Sequence, residues 1–596
     1  SYFNRLPAEM IQRIRNIYVL RFRVFGFLLL ILPGIVRAGQ PVTIDKFTNQ
    51  PTIRAWIYLA NEPAYNEYFT QLEYPEKTQR RLAKMGTLAK KTASDLDPGE
   101  ELRAIIGSNV ICLRHYSRIL RAFSAEINQS NFEILTSLPI VTKIELVESF
   151  TAKPPDLLKE IPESRTKPLR KMSAAYETQL EQLNIPAAQA LGLTGKGVRI
   201  GFIDTGFYKD HEVFREIISS GRLIAEYDFI NDDDNVSDEK AADTARNSRQ
   251  SEHGTAVWSL VGGYNPPDYL GAAYGAEFLL AKTERIDTEI HREEDDFVAA
   301  VEWCDYWGAD IVSVSLGYRD GFADGSKYPY EYLDGQTAVT TKAVNWAFER
   351  GILCVCCAGN DANNFEDGGL LTPGDAFGAL TVGAVDAQGE IATFSSHGPT
   401  YDGRIKPDLC AMGVATYYAG NSQGAYRTGS GTSLATPLIA GAAALLLESQ
   451  PELTPAEIIT ELKRYADRTQ NPDNRYGWGI PDVYQSIVNY QPKSFPKGEL
   501  SFDEIWVYPN PANSNINFYF IWHKATPATA PAYLQVINLN GQIVFEKRLV
   551  SKFGGQKEVI NWNLHNQSGA RVGSGIYFVC LRSSEYFKIN KFIIVH

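Results

Sequence analysis

The chain has 596 residues, of which 44% are hydrophobic and 21% charged, and its formal net charge is −12. This composition is typical of a soluble globular protein and excludes a disordered chain or a bundle of membrane helices. The acidic balance and the lack of a basic stripe argue against nucleic acid as a partner. A chain of this length has room for several domains.

The first 38 residues have the layout of a signal peptide. Arginines in RIRNIYVLRFR, at 13–23, precede the apolar segment VFGFLLLILPGIV at 24–36. That segment is shorter than the roughly 20 residues that span a bilayer, and VRA follows as a site for signal peptidase. We therefore predict export with a signal peptide at 1–38, the alternative being a membrane anchor that stays attached.

Residues 39–165 have the pattern of a small α+β domain. IRAWIYLA and TKIELVESF predict strands, SNVICLRHYSRILRAFSAEI predicts two more around a turn, and NFEILTSLP predicts a short helix. A stretch rich in proline and charge, KPPDLLKEIPESRTKPLRK, occupies residues 153–171 and overlaps the end of this region. We predict a linker at 166–180 that is open to proteolysis.

Apolar runs alternate with helical patterns over residues 181–490. The runs in GKGVRIGFIDTGF, ADIVSVSLG, GILCVCCAGN and ALTVGAVD each end near a glycine or a small polar residue. This alternation predicts an α/β domain with a doubly wound, mostly parallel sheet that is covered on both faces. Ligands bind beyond the carboxyl ends of strands in such sheets, so polar residues at those ends are the candidates for a site.

Residues 501–596 follow a predicted linker at 491–500 and show no long helical pattern. Short alternating strands recur, as in YLQVINLNGQIVFEK and GIYFVCL, and Asn540-Gly541 between two apolar runs is a strong hairpin signal. The pattern predicts an all-β sandwich.

Three polar residues of the central region stand beside strand or helix patterns: Asp204 in GFIDTGF, His253 in EHGTAV and Ser433 in GTSLATP. Taken singly, Asp204 could equally be a turn residue, His253 a loop histidine and Ser433 a helix N-cap. Together they supply a nucleophile, a base and an orienting carboxylate, in one of the recurring orders of a catalytic triad. The apolar run after Ser433 predicts a buried helix with Pro437 in its first turn.

These segments resemble the signature segments of the subtilisin-like serine proteases (subtilases, peptidase family S8). The resemblance spans residues 185–485 and includes SVSLG at 313–317, AGN at 358–360 and NRYGWGIPDV at 474–483. It implies that Ser433 attacks a peptide carbonyl, that His253 takes and returns the proton, and that Asp204 orients the imidazole. An acyl-enzyme intermediate is then hydrolysed.

The resemblance also implies residues for the oxyanion and the substrate. Asn360 matches the family's oxyanion-hole asparagine, with the backbone N–H of Ser433 as the second donor. The segment SVSLG is expected to pair with an extended peptide. The substrate-binding residues are therefore Ser313, Ser315, Leu316, Gly317 and Gly359. Tyr318 stands where the family often has a second glycine, and an insertion rich in aromatics follows it. A broad endopeptidase with a mildly hydrophobic preference is the default expectation, and a narrow specificity stays open.

The flanking regions resemble the segments of a precursor. SRILRAFSAEI and LTSLPIVTKIELV are similar to the inhibitory propeptide of this family, the alternative being a non-inhibitory adaptor. VYPNPANSNINF, NLNGQIVFEK and SGIYFVCL resemble the C-terminal sorting domain of the type IX secretion system, the alternative being a carbohydrate- or protein-binding sandwich. The implied partners are the chain's own propeptide and the secretion machinery. The implied destination is the outside or the surface of a Bacteroidetes-type bacterium, by way of the periplasm and outer membrane.

The sequence thus predicts a secreted serine endopeptidase made as a precursor, with polypeptides as substrates. The alternative is a surface adhesion or scaffold protein on a degenerate protease fold, and intact Asp204, His253, Ser433 and Asn360 disfavour it. This chemistry requires no cofactor. The acidic run NDDDNVSDE at 231–239 has oxygen ligands suited to Ca²⁺, but its spacing matches no EF-hand loop and a solvated loop explains it. The seven cysteines match no zinc spacing and are expected to be small buried hydrophobes.

Overall fold

The structure is a computed structural model that describes residues 47, 52–147, 173–490 and 505–594, apart from short gaps of which 86–94, 239–249 and 523–531 are the longest. The predicted signal peptide at 1–38, the predicted linker at 491–500 and the predicted turn at Asn540-Gly541 lie outside the described residues.

The first region is built on a four-stranded antiparallel sheet in the order β4-β5-β1-β6. Ala55 and Ile57 of its central strand pack against the helices of this region, while Trp56 packs on the opposite face. The strands are β1 Ile53–Leu59, β2 Phe69–Gln71, β3 Leu96–Pro98, β4 Cys112–Ser117, β5 Ala122–Ile127 and β6 Val141–Val147. The helices are α1 Glu76–Lys84, α2 Glu100–Gly107 and α3 Gln129–Ser137. The predicted α+β class is confirmed.

The central region is built on a sheet of seven parallel strands in the order β15-β14-β13-β12-β7-β11-β8. Its strands, with the short hairpins beside it, are β7 Arg199–Asp204, β8 Leu223–Asp228, β9 Tyr264–Asn265, β10 Tyr269–Leu270, β11 Glu277–Lys282, β12 Ile311–Val314, β13 Leu353–Cys357, β14 Ala379–Val385, β15 Leu409–Met412, β16 Thr416–Ala419 and β17 Tyr426–Gly429. Its helices are α4 Ser173–Glu181, α5 Ile185–Ala190, α6 Arg215–Ser219, α7 Glu252–Gly262, α8 His291–Tyr306, α9 Val339–Glu349, α10 Thr432–Ser449, α11 Pro455–Arg464 and α12 Val483–Val488.

Helices cover both faces of this sheet, which is why its strands are apolar along their whole length. Phe202 of β7 packs in one core with α7 and α10, and the next residue, Ile203, packs in a second core with α8 and α9. Cys354 and Cys356 belong to that second core, and burial raises the pKa of Cys354 to about 12, so its thiol is inert. The predicted α/β class with a doubly wound parallel sheet is confirmed.

The order of the strands puts a topological switch at the centre of the sheet. The chain goes from β7 to β8 and β11 on one side, and continues with β12, β13, β14 and β15 on the other. Connections that leave neighbouring strands in opposite directions open a crevice at their carboxyl ends, and ligands bind there. The site is therefore expected beyond β7 and β12.

The predicted linker at 166–180 is wrong in its second half, because Ser173–Glu181 forms α4. Tyr176 and Leu180 lie four residues apart, on one face of that helix, and both are buried in the central core. The apolar spacing therefore overrides the charged and proline-rich composition just before it.

The last region has two antiparallel sheets in the orders β18-β19-β22 and β21-β20-β23-β24. Phe518, Val536, Trp562 and Phe592 come from both sheets and share one core. The strands are β18 Trp506–Tyr508, β19 Ile516–Trp522, β20 Ala532–Asn538, β21 Ile543–Leu549, β22 Gln556–Trp562, β23 Gly575–Arg582 and β24 Phe587–Ile594. The predicted all-β sandwich is confirmed.

Candidate active site

Asp204 and His253 form a buried pair at the carboxyl edge of the sheet. Asp204 is the last residue of β7, and His253 is the second residue of α7. Nδ1 of His253 lies 2.7 Å from Oδ1 of Asp204, which also accepts a hydrogen bond of 2.8 Å from the backbone N–H of Thr205. Because a carboxylate only accepts, the imidazole proton lies on Nδ1 and leaves Nε2 with a free lone pair.

The glycine after His253 makes this pairing possible. A Cβ on Gly254 would collide with the carbonyl oxygen of Gly206 and would lie 3.1 Å from Oδ1 of Asp204. Because Gly254 has no Cβ, the start of α7 approaches the end of β7 more closely than any other residue at this position would allow. The segment HGT in the sequence is the signal of this close approach.

Ser433 lies at the N-terminal end of the apolar helix α10 and is buried. Its Oγ donates a hydrogen bond of 3.1 Å to the carbonyl oxygen of Ser315, which follows β12. Nε2 of His253 is buried and has no hydrogen-bond partner among the described residues. The structure thus pairs Asp204 with His253, and it pairs Ser433 with Ser315.

Pro437 is the sixth residue of α10, in its second turn, so the predicted position in the first turn is wrong. Proline has no N–H to donate to the carbonyl four residues earlier, which here belongs to Ser433. The hydroxyl of Ser315 donates to that carbonyl instead, at 2.8 Å. The main chain of Ser433 is therefore tied directly to the segment that follows β12.

Asn360 follows β13, and its side chain is oriented by the first turn of α10. Its Oδ1 accepts hydrogen bonds from the backbone N–H of Thr432 at 2.9 Å and from the Thr432 hydroxyl at 3.2 Å. With Oδ1 turned to Thr432, the amide Nδ2 is the side chain's remaining donor. Gly359 before it has a φ of +111°, a conformation that favours glycine.

The residues predicted to bind substrate fall into two places. Ser315, Leu316 and Gly317 follow β12 directly, and Gly359 follows the neighbouring β13, so these four flank the start of α10. Ser313 lies inside β12, where its hydroxyl is buried without a hydrogen-bond partner among the described residues.

Sequence reasoning missed the pairing of Glu284 with Tyr318. Glu284 follows β11, Tyr318 lies beyond β12, and the Tyr318 hydroxyl donates to Oε1 of Glu284. Burial raises the pKa of Glu284 well above its usual range. Tyr318 is 1% exposed, so its ring is core and is not a bulky surface beside the cleft. An acidic residue after a buried strand, in AKTE, was the available signal.

The acidic face of α8, made of Asp295, Asp296, Glu302 and Asp305, is buried against the first region. Arg54 of β1 pairs with both aspartates, and its Nη2 lies 3.0 Å from Oδ1 of Asp296. Three of these carboxylates lie on one face of the helix, because Asp295, Glu302 and Asp305 are seven and three residues apart.

Two further arginines and a histidine meet this face. Arg118 lies 3.3 Å from both Glu302 and Asp305. Arg81 of α1 lies 2.5 Å from Asp305, and His115 lies 2.8 Å from Asp295. Neighbouring arginines hold the pKa of the Asp305 carboxyl below its usual range. The first region is therefore joined to the central region by matched buried charges.

Fold and site together define a class: a doubly wound α/β protein with an Asp–His pair and a helix-borne serine at one edge of its sheet. Residues 195–479 match the subtilase family, and residues 506–595 match the secretion system C-terminal sorting domain. The chain belongs to the subtilase family of serine endopeptidases. Its sorting domain indicates type IX export, which ends outside the cell or at its surface.

Relatives in bacilli agree with this assignment. Serine protease AprX of Bacillus subtilis is 30% identical over 348 residues, which are 53% of this chain and 73% of that protein. Subtilisin DY of Bacillus licheniformis is 27% identical over 299 residues, covering 50% of this chain and 92% of that protein. Alkaline elastase YaB of a Bacillus strain is 28% identical over 307 residues, covering 50% and 67%.

Proposed function

We propose that this subtilase is the precursor of an exported endopeptidase in which Ser433 is the nucleophile, His253 the general base and Asp204 the orienting carboxylate. The observation that carries the proposal is the 2.7 Å contact between Nδ1 of His253 and Oδ1 of Asp204. That contact leaves Nε2 as the basic nitrogen of a buried imidazole. Catalytic hydrogen bonds are often loose without substrate, so the Ser433 hydroxyl would turn from Ser315 to His253 as a peptide binds.

In the proposed reaction, Oγ of Ser433 attacks the peptide carbonyl while Nε2 of His253 takes its proton. The carbonyl oxygen becomes an oxyanion, stabilised by Nδ2 of Asn360, the backbone N–H of Ser433 and the N-terminal end of α10. The imidazolium returns the proton to the amine as the C–N bond breaks, which leaves an acyl-enzyme. Water, deprotonated by His253, then hydrolyses the ester. No cofactor takes part.

The substrate would bind as an extended strand beside the segment Ser315–Gly317, with backbone hydrogen bonds that tolerate many sequences. We further propose that residues 39–165 act as an intramolecular inhibitor until the chain is cut near 150–180. The buried pairs on the acidic face of α8 support this, since they join the two regions before cleavage. The type IX machinery would recognise the C-terminal sandwich.

The test is casein hydrolysis by the full chain and by Ser433→Ala, with labelling by a fluorophosphonate as a second readout. We expect Ser433→Ala to lose both activity and label. The matched control is Ser449→Ala at the other end of the same helix, which should keep both. Hydrolysis that survives in Ser433→Ala would overturn the proposed mechanism.

A further inference from the structure

We propose that Leu371 fills the pocket for the acyl-side residue, the one whose carbonyl is attacked, and thereby restricts this endopeptidase to small residues at that position. The inference rests on the proposed function and names its substrate class. Glycine, alanine and serine would be accepted there, and aromatic or long aliphatic side chains would be rejected.

The pocket lies between two main-chain segments in front of the nucleophile. β12 and β13 are parallel neighbours, so the segments after them, Ser315–Gly317 and 358–360, leave the sheet side by side. The first contacts Ser433 through Ser315, and the second contacts Thr432 through the N–H of Gly359, which donates at 3.2 Å to the Thr432 hydroxyl. A carbonyl placed at Ser433 with its oxygen at Asn360 would direct its own side chain between these segments.

A third segment closes the far end of that space. The N–H of Leu371 donates a hydrogen bond of 3.1 Å to the carbonyl of Ala358, the first residue of the second segment. The next residue, Thr372, exchanges two backbone hydrogen bonds with Tyr318, of 2.8 and 3.1 Å, just beyond the first segment. Leu371 is therefore fixed at the junction of both walls, and its main chain has little freedom to withdraw.

The Leu371 side chain occupies the space between the walls. A Cβ on Gly317 would lie 2.8 Å from both Cβ and Cδ1 of Leu371. A Cβ on Gly359 would lie 2.6 Å from Cγ and 2.9 Å from Cδ1 of the same leucine. The Leu371 side chain thus contacts both walls, at Gly317 and at Gly359, where the walls have no side chain of their own. The Leu371 side chain is half-buried.

A filled pocket discriminates by size. A rigid pocket discriminates between two substrates that differ by one methylene, and the ratio of their kcat/KM values is roughly 10- to 200-fold. The reason is that packed walls do not yield to an added group. The backbone N–H groups of Leu371 and Thr372 are both hydrogen-bonded, to Ala358 and Tyr318, so the main chain of Leu371 is held in place. A phenylalanine side chain entering the pocket would have to displace the Leu371 side chain. Tyr318 does not set this preference, since its ring is buried on the Glu284 side.

The experiment compares the full chain, after self-processing, with Leu371→Ala and Leu371→Gly. The probes are succinyl-Ala-Ala-Pro-X p-nitroanilides, with X as alanine, leucine or phenylalanine. We expect the unaltered protein to prefer alanine over phenylalanine by at least about tenfold in kcat/KM. Each substitution should shift that ratio towards phenylalanine by about 10- to 100-fold. Leu193→Ala, a half-buried leucine that packs against the core away from the site, is the matched control and should leave the ratio unchanged.

Cleavage-site profiling of denatured casein by the unaltered protein is a second measurement that needs no variant. Small residues on the acyl side would support the proposal, and frequent aromatic residues there would overturn it. An unchanged ratio in variants that still hydrolyse casein would also overturn it, while leaving the mechanism intact. An unaltered protein that neither hydrolyses casein nor takes up fluorophosphonate would overturn the proposed function and this inference together.

Discussion

The hydroxyl of Ser315 donates a 2.8 Å hydrogen bond to the carbonyl oxygen of Ser433, in place of the N–H that Pro437 lacks. A proline inside a helix costs about 3 kcal/mol, partly because it leaves such a carbonyl without its partner. Here a strand end supplies the missing donor. The attacking residue is consequently fixed to β12 as well as to its own helix.

Ser315→Ala should lower the free energy of unfolding by about 1–3 kcal/mol, because it leaves the buried carbonyl of Ser433 unpaired. Adding Pro437→Ala should recover part of that loss, since alanine restores the helical N–H. Ser313→Ala is the control for stability, because the Ser313 hydroxyl has no partner among the described residues. Denaturant unfolding in the Ser433→Ala background compares these three variants with their parent. Equal losses with and without Pro437→Ala would contradict the account.

Asn360→Ala should lower kcat by about 10²–10³ with little change in KM, the size of effect known for the oxyanion-hole amide of subtilisin itself. The loss falls on kcat because the amide donates only to the oxyanion that forms in the transition state. Steady-state kinetics on a p-nitroanilide measure it. Thr432→Val, which removes a hydroxyl bound to Oδ1, is the comparison and should cost less. A rise in KM alone would argue against the assigned role.

Arg81→Ala should loosen the first region from the acidic face of α8, whereas Arg80→Ala should not. The Arg81 side chain is 1% exposed and pairs with Asp305. Its loss removes one buried partner of that carboxylate and costs at most about 3–5 kcal/mol, because Arg118 and Arg350 remain beside Asp305. Arg80 pairs with Glu76, both 77% exposed, and such pairs contribute less than about 1 kcal/mol.

The measurements are the Tm of the full chain in the Ser433→Ala background and the early rate of casein hydrolysis in the active background. Arg81→Ala should lower the Tm and raise the early rate. Identical behaviour of the two arginine variants would refute the role given to the buried pairs.

Glu284→Gln should stabilise the protein increasingly as the pH rises from 5 to 8. Burial raises the pKa of Glu284 in the folded state, so the folded protein holds a proton that the unfolded chain releases above its pKa of about 4.3. Glu284 therefore makes its full contribution to the free energy of unfolding below the unfolded pKa of about 4.3. That contribution is lost as the pH rises from there through the folded-state pKa. Glutamine does not titrate and still accepts the Tyr318 hydrogen bond.

Tm values at several pH values, again in the Ser433→Ala background, check this prediction. Glu76→Gln is the control, since its side chain is 77% exposed. A difference between Glu284→Gln and the parent protein that stays constant with pH would contradict it.

Much of the fold and of the proposed machinery followed from local patterns. Apolar runs predicted the parallel sheet because strands covered on both faces carry no polar alternation. Asp204 stood out because it ends such a run, and Ser433 because it begins an apolar helix, whereas Asn360 was assigned by resemblance to the subtilases. The linker prediction failed at 173–180, where Tyr176 and Leu180 become apolar anchors only against a core that the local composition does not reveal.

The sequence by itself determined the order of elements, the class of sheet and the residues that can carry the chemistry, because these depend on periodicity and on residue type. Only the tertiary structure decided that Ser315 replaces the N–H missing from Pro437, that Glu284 meets Tyr318, and that Leu371 stands between Gly317 and Gly359. Each of these contacts joins segments far apart in the chain. Their distances depend on which strands become neighbours in the sheet, and no local pattern encodes that choice.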